Sequence, residues 1–160
     1  MNTKISTAHE LAENIGCDGI KRNFLNFIDF CTDLKLKPRL YASEKMNIKY
    51  KGKMILRFDP SCLDGSLSIF FTVGYFHELS DILSSLSEDI QQFFIENNRR
   101  CNKELCIGCK PIPKRVLNIL GADHELCWTE MVFRNPTKEQ FEYIKKFVAI
   151  RREHIKNVTI

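Results

Sequence analysis

Three patterns in this chain predict an α+β fold, a mainly antiparallel sheet of about five strands with helices packed on one face. Apolar residues recur at three- and four-residue steps around residues 20–34 and 141–155. Short runs rich in Ile, Leu, Phe and Val lie between turn residues, and the segments follow one another as α-β-β-β-α-β-β-α rather than in strict alternation. A length of 160 residues with 44% hydrophobic and 28% charged side chains fits one globular domain, residues 1–160.

Residues 1–19 are polar and end in Gly16-Cys17-Asp18-Gly19, which predicts a frayed start, or a short helix over residues 5–15, followed by a break. Ile20, Phe24, Phe27, Ile28, Cys31 and Leu34 then form the stripe of an amphipathic helix, stopped by Pro38. Residues 46–58 read as a hairpin around Lys51-Gly52-Lys53. A three-residue loop sets Met46, Ile48 and Tyr50 opposite Phe58, Leu56 and Met54, and sets Asn47 and Lys49 opposite Arg57 and Ile55. A two-residue loop would pair the apolar set with Lys53 and Arg57 instead.

Asp59-Pro60-Ser61 and Leu63-Asp64-Gly65 are turn chemistry, and residues 66–75 form a third strand with Leu67, Ile69, Phe71 and Val73 on one face. Residues 79–97 have helical spacing, and Ser87 supplies a second cap that can divide them into two helices. Two strands are expected at 115–120 and 126–133, joined by Gly121-Ala122-Asp123-His124. Asn135-Pro136-Thr137 then provides a break and an N-cap, with Gln140 in the capping-box position before Phe141, Ile144, Phe147, Val148 and Ile155.

The net charge of +4 hides segregation. Residues 35–57 carry Lys35, Lys37, Arg39, Lys45, Lys49, Lys51, Lys53 and Arg57 against Glu44 alone, residues 58–96 hold seven acids and no Lys or Arg, and residues 97–115 are basic again. Such blocks either steer an anionic partner or neutralise each other across neighbouring elements. With no apolar run of signal-peptide or membrane-span length, the chain is expected to be soluble and cytoplasmic, a setting that keeps cysteines reduced. An odd count of seven agrees.

Four of these cysteines, Cys101, Cys106, Cys109 and Cys127, are spaced C-x4-C-x2-C-x17-C, a thiolate quartet of the kind that holds tetrahedral Zn²⁺. Gly108 lets the Cys106–Cys109 knuckle turn toward an ion, and His124 is an alternative fourth ligand. The expected hairpin raises a difficulty, since Cys127 would lie near its turn while Cys109 precedes its open end. An iron–sulfur cluster is a second reading of the spacing, opposed by the bulky, charged Asn102-Lys103-Glu104-Leu105. A third is a Cys106/Cys109 thiol redox sensor or enzyme, its thiolates favoured by Arg99, Arg100, Lys103 and Lys110. Cys17, Cys31 and Cys62 read as core or surface residues.

The succession Tyr50-Lys51-Gly52-Lys53, Cys106-x2-Cys109-Lys110-Pro111, Gly121, Cys127, Phe133-Arg134-Asn135-Pro136 and Arg151-Arg152 resembles a group of small, uncharacterised bacterial proteins over residues 20–155. In that group the first cysteine lies closer to the C-x2-C pair than Cys101 does here. The resemblance implies no activity.

No H-E-x-x-H, P-loop, G-x-G-x-x-G after a strand or G-x-S-x-G occurs, and His77-Glu78 reads as helix-start chemistry, so no catalytic residue is assigned. The expected function is a non-enzymatic ligand-sensing or interaction module with a structural zinc site, its partner a small ligand or protein. The alternative is nucleic-acid binding through residues 35–57 and 99–115, although aromatic interleaving there is limited to Tyr41 and Tyr50 and a pI near 8.7 is only mildly basic.

Overall fold

The computed structural model describes residues 7–42, 45–61, 64–72, 80–98, 116–125 and 130–158. Helix α1 (Ala8–Ala12) opens with a capping box, in which the Thr7 hydroxyl accepts from the Glu10 N–H and the Glu10 carboxylate accepts from the Thr7 N–H. After the expected break, α2 (Asp18–Asp33) buries Phe24, Phe27, Ile28 and Cys31, the predicted stripe. The helix ends before Pro38. Leu36 and Lys35 donate back to the carbonyls of Cys31 and Thr32, a Schellman closure that satisfies its last carbonyls.

Pro38 does more than end a helix, because it starts β1 (Pro38–Ala42), an edge strand that the sequence reading did not include. The sheet continues through β2 (Lys45–Tyr50), β3 (Lys53–Pro60) and β4 (Leu67–Thr72). Helices α3 (Ser80–Ser85) and α4 (Glu88–Asn97) follow, then the hairpin of β5 (Val116–Ile119) and β6 (Ala122–Glu125), then β7 (Glu130–Arg134) and α5 (Lys138–Val158). The five-stranded sheet has the order β1-β2-β3-β4-β7, and β5-β6 is a separate two-stranded sheet. The fold class is α+β, as predicted.

Two compact units make up the chain: residues 1–71 with 133–160, and residues 72–132. In the first, Phe24 meets Phe58 edge-on with ring centroids 5.1 Å apart, Phe27 meets Phe141 at 5.9 Å, and Phe71 meets Phe147 at 5.9 Å. Helices α2 and α5 therefore cover the sheet face formed by Met46, Ile48, Leu56, Phe58, Leu67, Ile69 and Phe71, all buried. Each fully buried ring contributes roughly 1.5–3 kcal/mol relative to exposure.

The β2–β3 hairpin combines the two loop lengths that its sequence left in competition. Met46 pairs with Phe58, Asn47 with Arg57 and Ile48 with Leu56, as the three-residue loop requires, but Tyr50 pairs with Lys53, leaving the two-residue loop Lys51-Gly52. A register shift after Ile48 inserts Ile55 as a bulge and reconciles them. Lys51 (φ 46°) and Gly52 (φ 78°) both adopt positive φ, the requirement of the tight hairpin turn whose twist matches that of the strands. The bulge keeps Leu56 and Phe58 inward while the turn stays short.

At the other end of this unit, Asn135 holds β7 against β4: its side-chain oxygen accepts from the Leu67 N–H and its own N–H donates to the Leu67 carbonyl. Asn tolerates the positive φ of 49° found there. Thr137 and Gln140 then form the predicted capping box of α5. Phe133-Arg134-Asn135-Pro136 thus has a structural role, with Phe133 in the core and Pro136 buried before the cap.

In the second unit, α3 and α4 are separate helices divided at Ser87, and Leu83, Ile90, Phe93 and Phe94 are buried. The turn expected at residues 121–124 is corrected. Ile119 pairs with Ala122, so Leu120 (φ 54°) and Gly121 (φ 75°) form a two-residue loop and Ala122–Glu125 is itself a strand.

The backbones of Gly16 and Gly65 approach closely, and the Gly16 N–H donates to the Gly65 carbonyl at 2.9 Å. A Cβ on Gly65, which has φ +65°, would stand 2.8 Å from the Gly16 Cα and N, whereas one on Gly52 would meet nothing within 4 Å. Gly65→Ala is expected to lose about 2–3 kcal/mol, from strain plus displacement of the Gly16 backbone, and Gly52→Ala about 1 kcal/mol, from strain alone. Urea unfolding of both variants checks this; equal losses would show that the close approach is unimportant.

Candidate functional site

The cysteine quartet Cys101, Cys106, Cys109 and Cys127 lies outside the described residues, as do Cys62, His77 and Trp128. The hairpin between the last two cysteines is described, and it changes the topology that had opposed a common site. Val116 pairs with Glu125, and the turn is at Leu120-Gly121. In sequence, Cys127 follows Glu125 by two residues and Cys109 precedes Val116 by seven, so both cysteines flank the strands' open ends along the chain and neither adjoins the turn. His124, the alternative ligand, is on β6 opposite Leu117 and half-buried. Among the described residues no group of three or more His, Cys, Asp or Glu side chains converges on a metal-sized space.

The basic stretch at residues 35–57 is divided by the fold. Lys45 donates to Asp59 Oδ2 at 3.0 Å, a hydrogen bond that also holds the ammonium above its ordinary pKa, and the Arg57 guanidinium lies 4.3 Å from the Phe70 ring centroid on the neighbouring strand. Lys35, Lys37, Arg39, Lys49 and Lys51 gather elsewhere. Pro38 stands opposite Ile48, so the residues that lead into β1 lie beside the end of β2 and its turn. All five are exposed, and among the described residues none has a carboxylate within ion-pair distance.

Two of these lysines occupy costly backbone. Lys35, at the Schellman position after α2, has φ 60°, and Lys51, first in the turn, has φ 46°. Both positions favour Gly or Asn, and an ordinary L side chain there costs about 1–2 kcal/mol. Sequence spacing carried no sign of this strain.

The sheet's two faces offer less. The inner face is filled by α2 and α5, and on the outer one Asn47, opposite both Arg39 and Arg57, is only 5% exposed. Fully buried Arg151 continues the α5 stripe between Val148 and Ile155, where periodicity alone would place a hydrophobe. Asn98, at the C-cap of α4, has both side-chain polar atoms buried with no partner among the described residues.

Asp64 makes a turn rather than a reactive site. Its carboxylate accepts from the Ser66 N–H and pairs with Arg134 at 3.0 Å, and hydrogen bonds from Ser66 and Ser61, helped by Arg134, hold its pKa well below the usual range. Cys17 is exposed and Cys31 buried. Burial, opposed by the charge of Lys145, pushes the Cys31 thiol up to about 12. Comparison with protein-family models, with curated proteins and with solved structures finds no match to this chain.

Native alkylation followed by peptide mapping should modify Cys17 readily and Cys31 only after unfolding. Modification of Cys31 in folded protein would contradict its burial. Because the folded-state pKa of Asp64 is depressed, its contribution is present above the unfolded value near 3.9 and is lost as pH falls below it. Wild type should therefore exceed Asp64→Asn in stability at neutral pH, and the difference should shrink in acid; a pH-independent difference would count against the ionic role.

Proposed function

We propose that this protein is a non-catalytic interaction module. It meets an anionic partner through the lysine-bearing end of its larger sheet, while Zn²⁺ held by Cys101, Cys106, Cys109 and Cys127 is structural. The observation that carries the reading is the gathering of Lys35, Lys37, Arg39, Lys49 and Lys51 at one exposed end, with Lys45 and Arg57 engaged elsewhere. Exposed cations on neighbouring strands, without carboxylate partners among the described residues, create a local positive potential that raises the encounter rate with anions. The β5–β6 register supports the zinc reading, since the hairpin turn falls at Leu120-Gly121 and not beside Cys127 in the sequence.

The expected result on a polyanion matrix is retention that salt abolishes. The variant with Lys35, Lys37, Lys49 and Lys51 all changed to Glu should lose retention, whereas Lys45→Gln should keep it. Equal behaviour of the two variants would remove the surface assignment. For the metal, elemental analysis of protein purified anaerobically should give near-stoichiometric zinc, and Cys109→Ser should lower both metal content and Tm. Zinc-free protein with four titratable thiols would defeat that half of the reading.

A further inference from the structure

We infer that the anion recognised by this surface is the phosphate backbone of double-stranded nucleic acid, bound without regard to sequence. The inference rests on the proposed interaction surface and names its partner. Lysine is depleted from protein–protein interfaces, whose buried centres favour aromatic residues, Met and Arg, and among the described residues the exposed large apolar ones near the five cations, four of them lysines, are Leu40 and Tyr41. Membrane-surface binding adds an inserted apolar face to its basic side chains, whereas among the described residues Leu40 and Tyr41 alone are large, apolar and exposed beside these lysines. Single strands are held by stacking on free aromatic rings. Tyr50 is instead overlain by Arg152, with its guanidinium 5.4 Å from the ring centroid. Five cations with Tyr41 as the one exposed ring beside them among the described residues fit phosphates better than a run of stacked bases, and phosphates position a duplex and carry no base information.

The backbone supplies the second, independent observation. Lys35 and Lys51 keep a charged side chain at two left-handed positions that Gly or Asn would occupy with less strain. Strain persisting at exposed positions on one surface marks a site where the side chain is needed for something other than folding.

Substitution by the residues that the backbone favours separates this role from a structural one. The double variant Lys35→Gly/Lys51→Asn should fold with a Tm equal to or higher than wild type and bind a short mixed-sequence DNA duplex more weakly. Wild-type affinity should fall about 10²- to 10³-fold between 50 and 200 mM salt, as for some four or five phosphate contacts, and the double variant should lower the logarithmic salt slope by about two. Duplex affinity unchanged in a folded double variant would overturn the inference. Absence of duplex binding, with binding to polyglutamate or phosphatidylserine vesicles that the same variant weakens, would overturn the nucleic-acid assignment and leave the anionic surface standing. Binding to none of the three probes at low salt would overturn both.

Discussion

The phenylalanine seam between α2, α5 and the sheet is the constraint from which the rest of the first unit follows. Phe24 on Phe58 and Phe147 on Phe71 require β3 and β4 to present alternate residues to the same side over their paired length. A slip of one residue would turn Phe58 and Leu56 to the other face and expose the helices' aromatic stripes. That requirement accounts for the Ile55 bulge, since a two-residue turn alone would carry β3 past β2 in the wrong phase. It also gives meaning to the Asn135–Leu67 hydrogen bonds, which set where β7 ends and α5 can begin, and hence which residues of α5 reach Phe71.

Held this way, the sheet has two unlike ends. One is closed by neutral turn chemistry, with Asp64, Ser66, Arg134 and Asn135 satisfying one another. The other end carries exposed lysines on strained backbone, and among the described residues Lys35, Lys37, Lys49 and Lys51 have no carboxylate of the kind that Lys45 finds in Asp59. A protein selected only for stability would have Gly after α2 and Asn-Gly in the β2–β3 turn. Keeping lysine at both positions trades stability for surface potential, a recurrent exchange at functional sites.

Much of this was legible in the sequence where side-chain period alone decides the outcome. The stripes of α2 and α5, the division at Ser87, the capping box at Thr137-Gln140 and the pairing of Met46, Asn47 and Ile48 with Phe58, Arg57 and Leu56 all follow from local pattern. Strand β1 was hidden because Pro38 signals a helix stop more strongly than a strand start, and its side chains, mostly exposed, lack alternation. The β5–β6 turn was misplaced because Ala122-Asp123-His124 looks like loop chemistry, whereas Leu120, an unusual residue for positive φ, takes the first turn position. The lysine end was only half visible: sequence shows a basic stretch, but register decides that Lys37 leads in beside Lys49 and that Lys45 falls at the other end, while the Phe70 ring engages Arg57. The cysteine quartet was legible as a spacing, and the hairpin inside it moves the turn to Leu120-Gly121, away from Cys127 in the sequence.

The most direct test of the account is an amide chemical-shift titration of isotope-labelled protein with a short DNA duplex at low salt. Perturbations concentrated at residues 35–39 and 49–53, and removed by added salt, are the predicted result. Shifts concentrated in the β5–β6 hairpin or around Asp64, or no shifts at all, would contradict it.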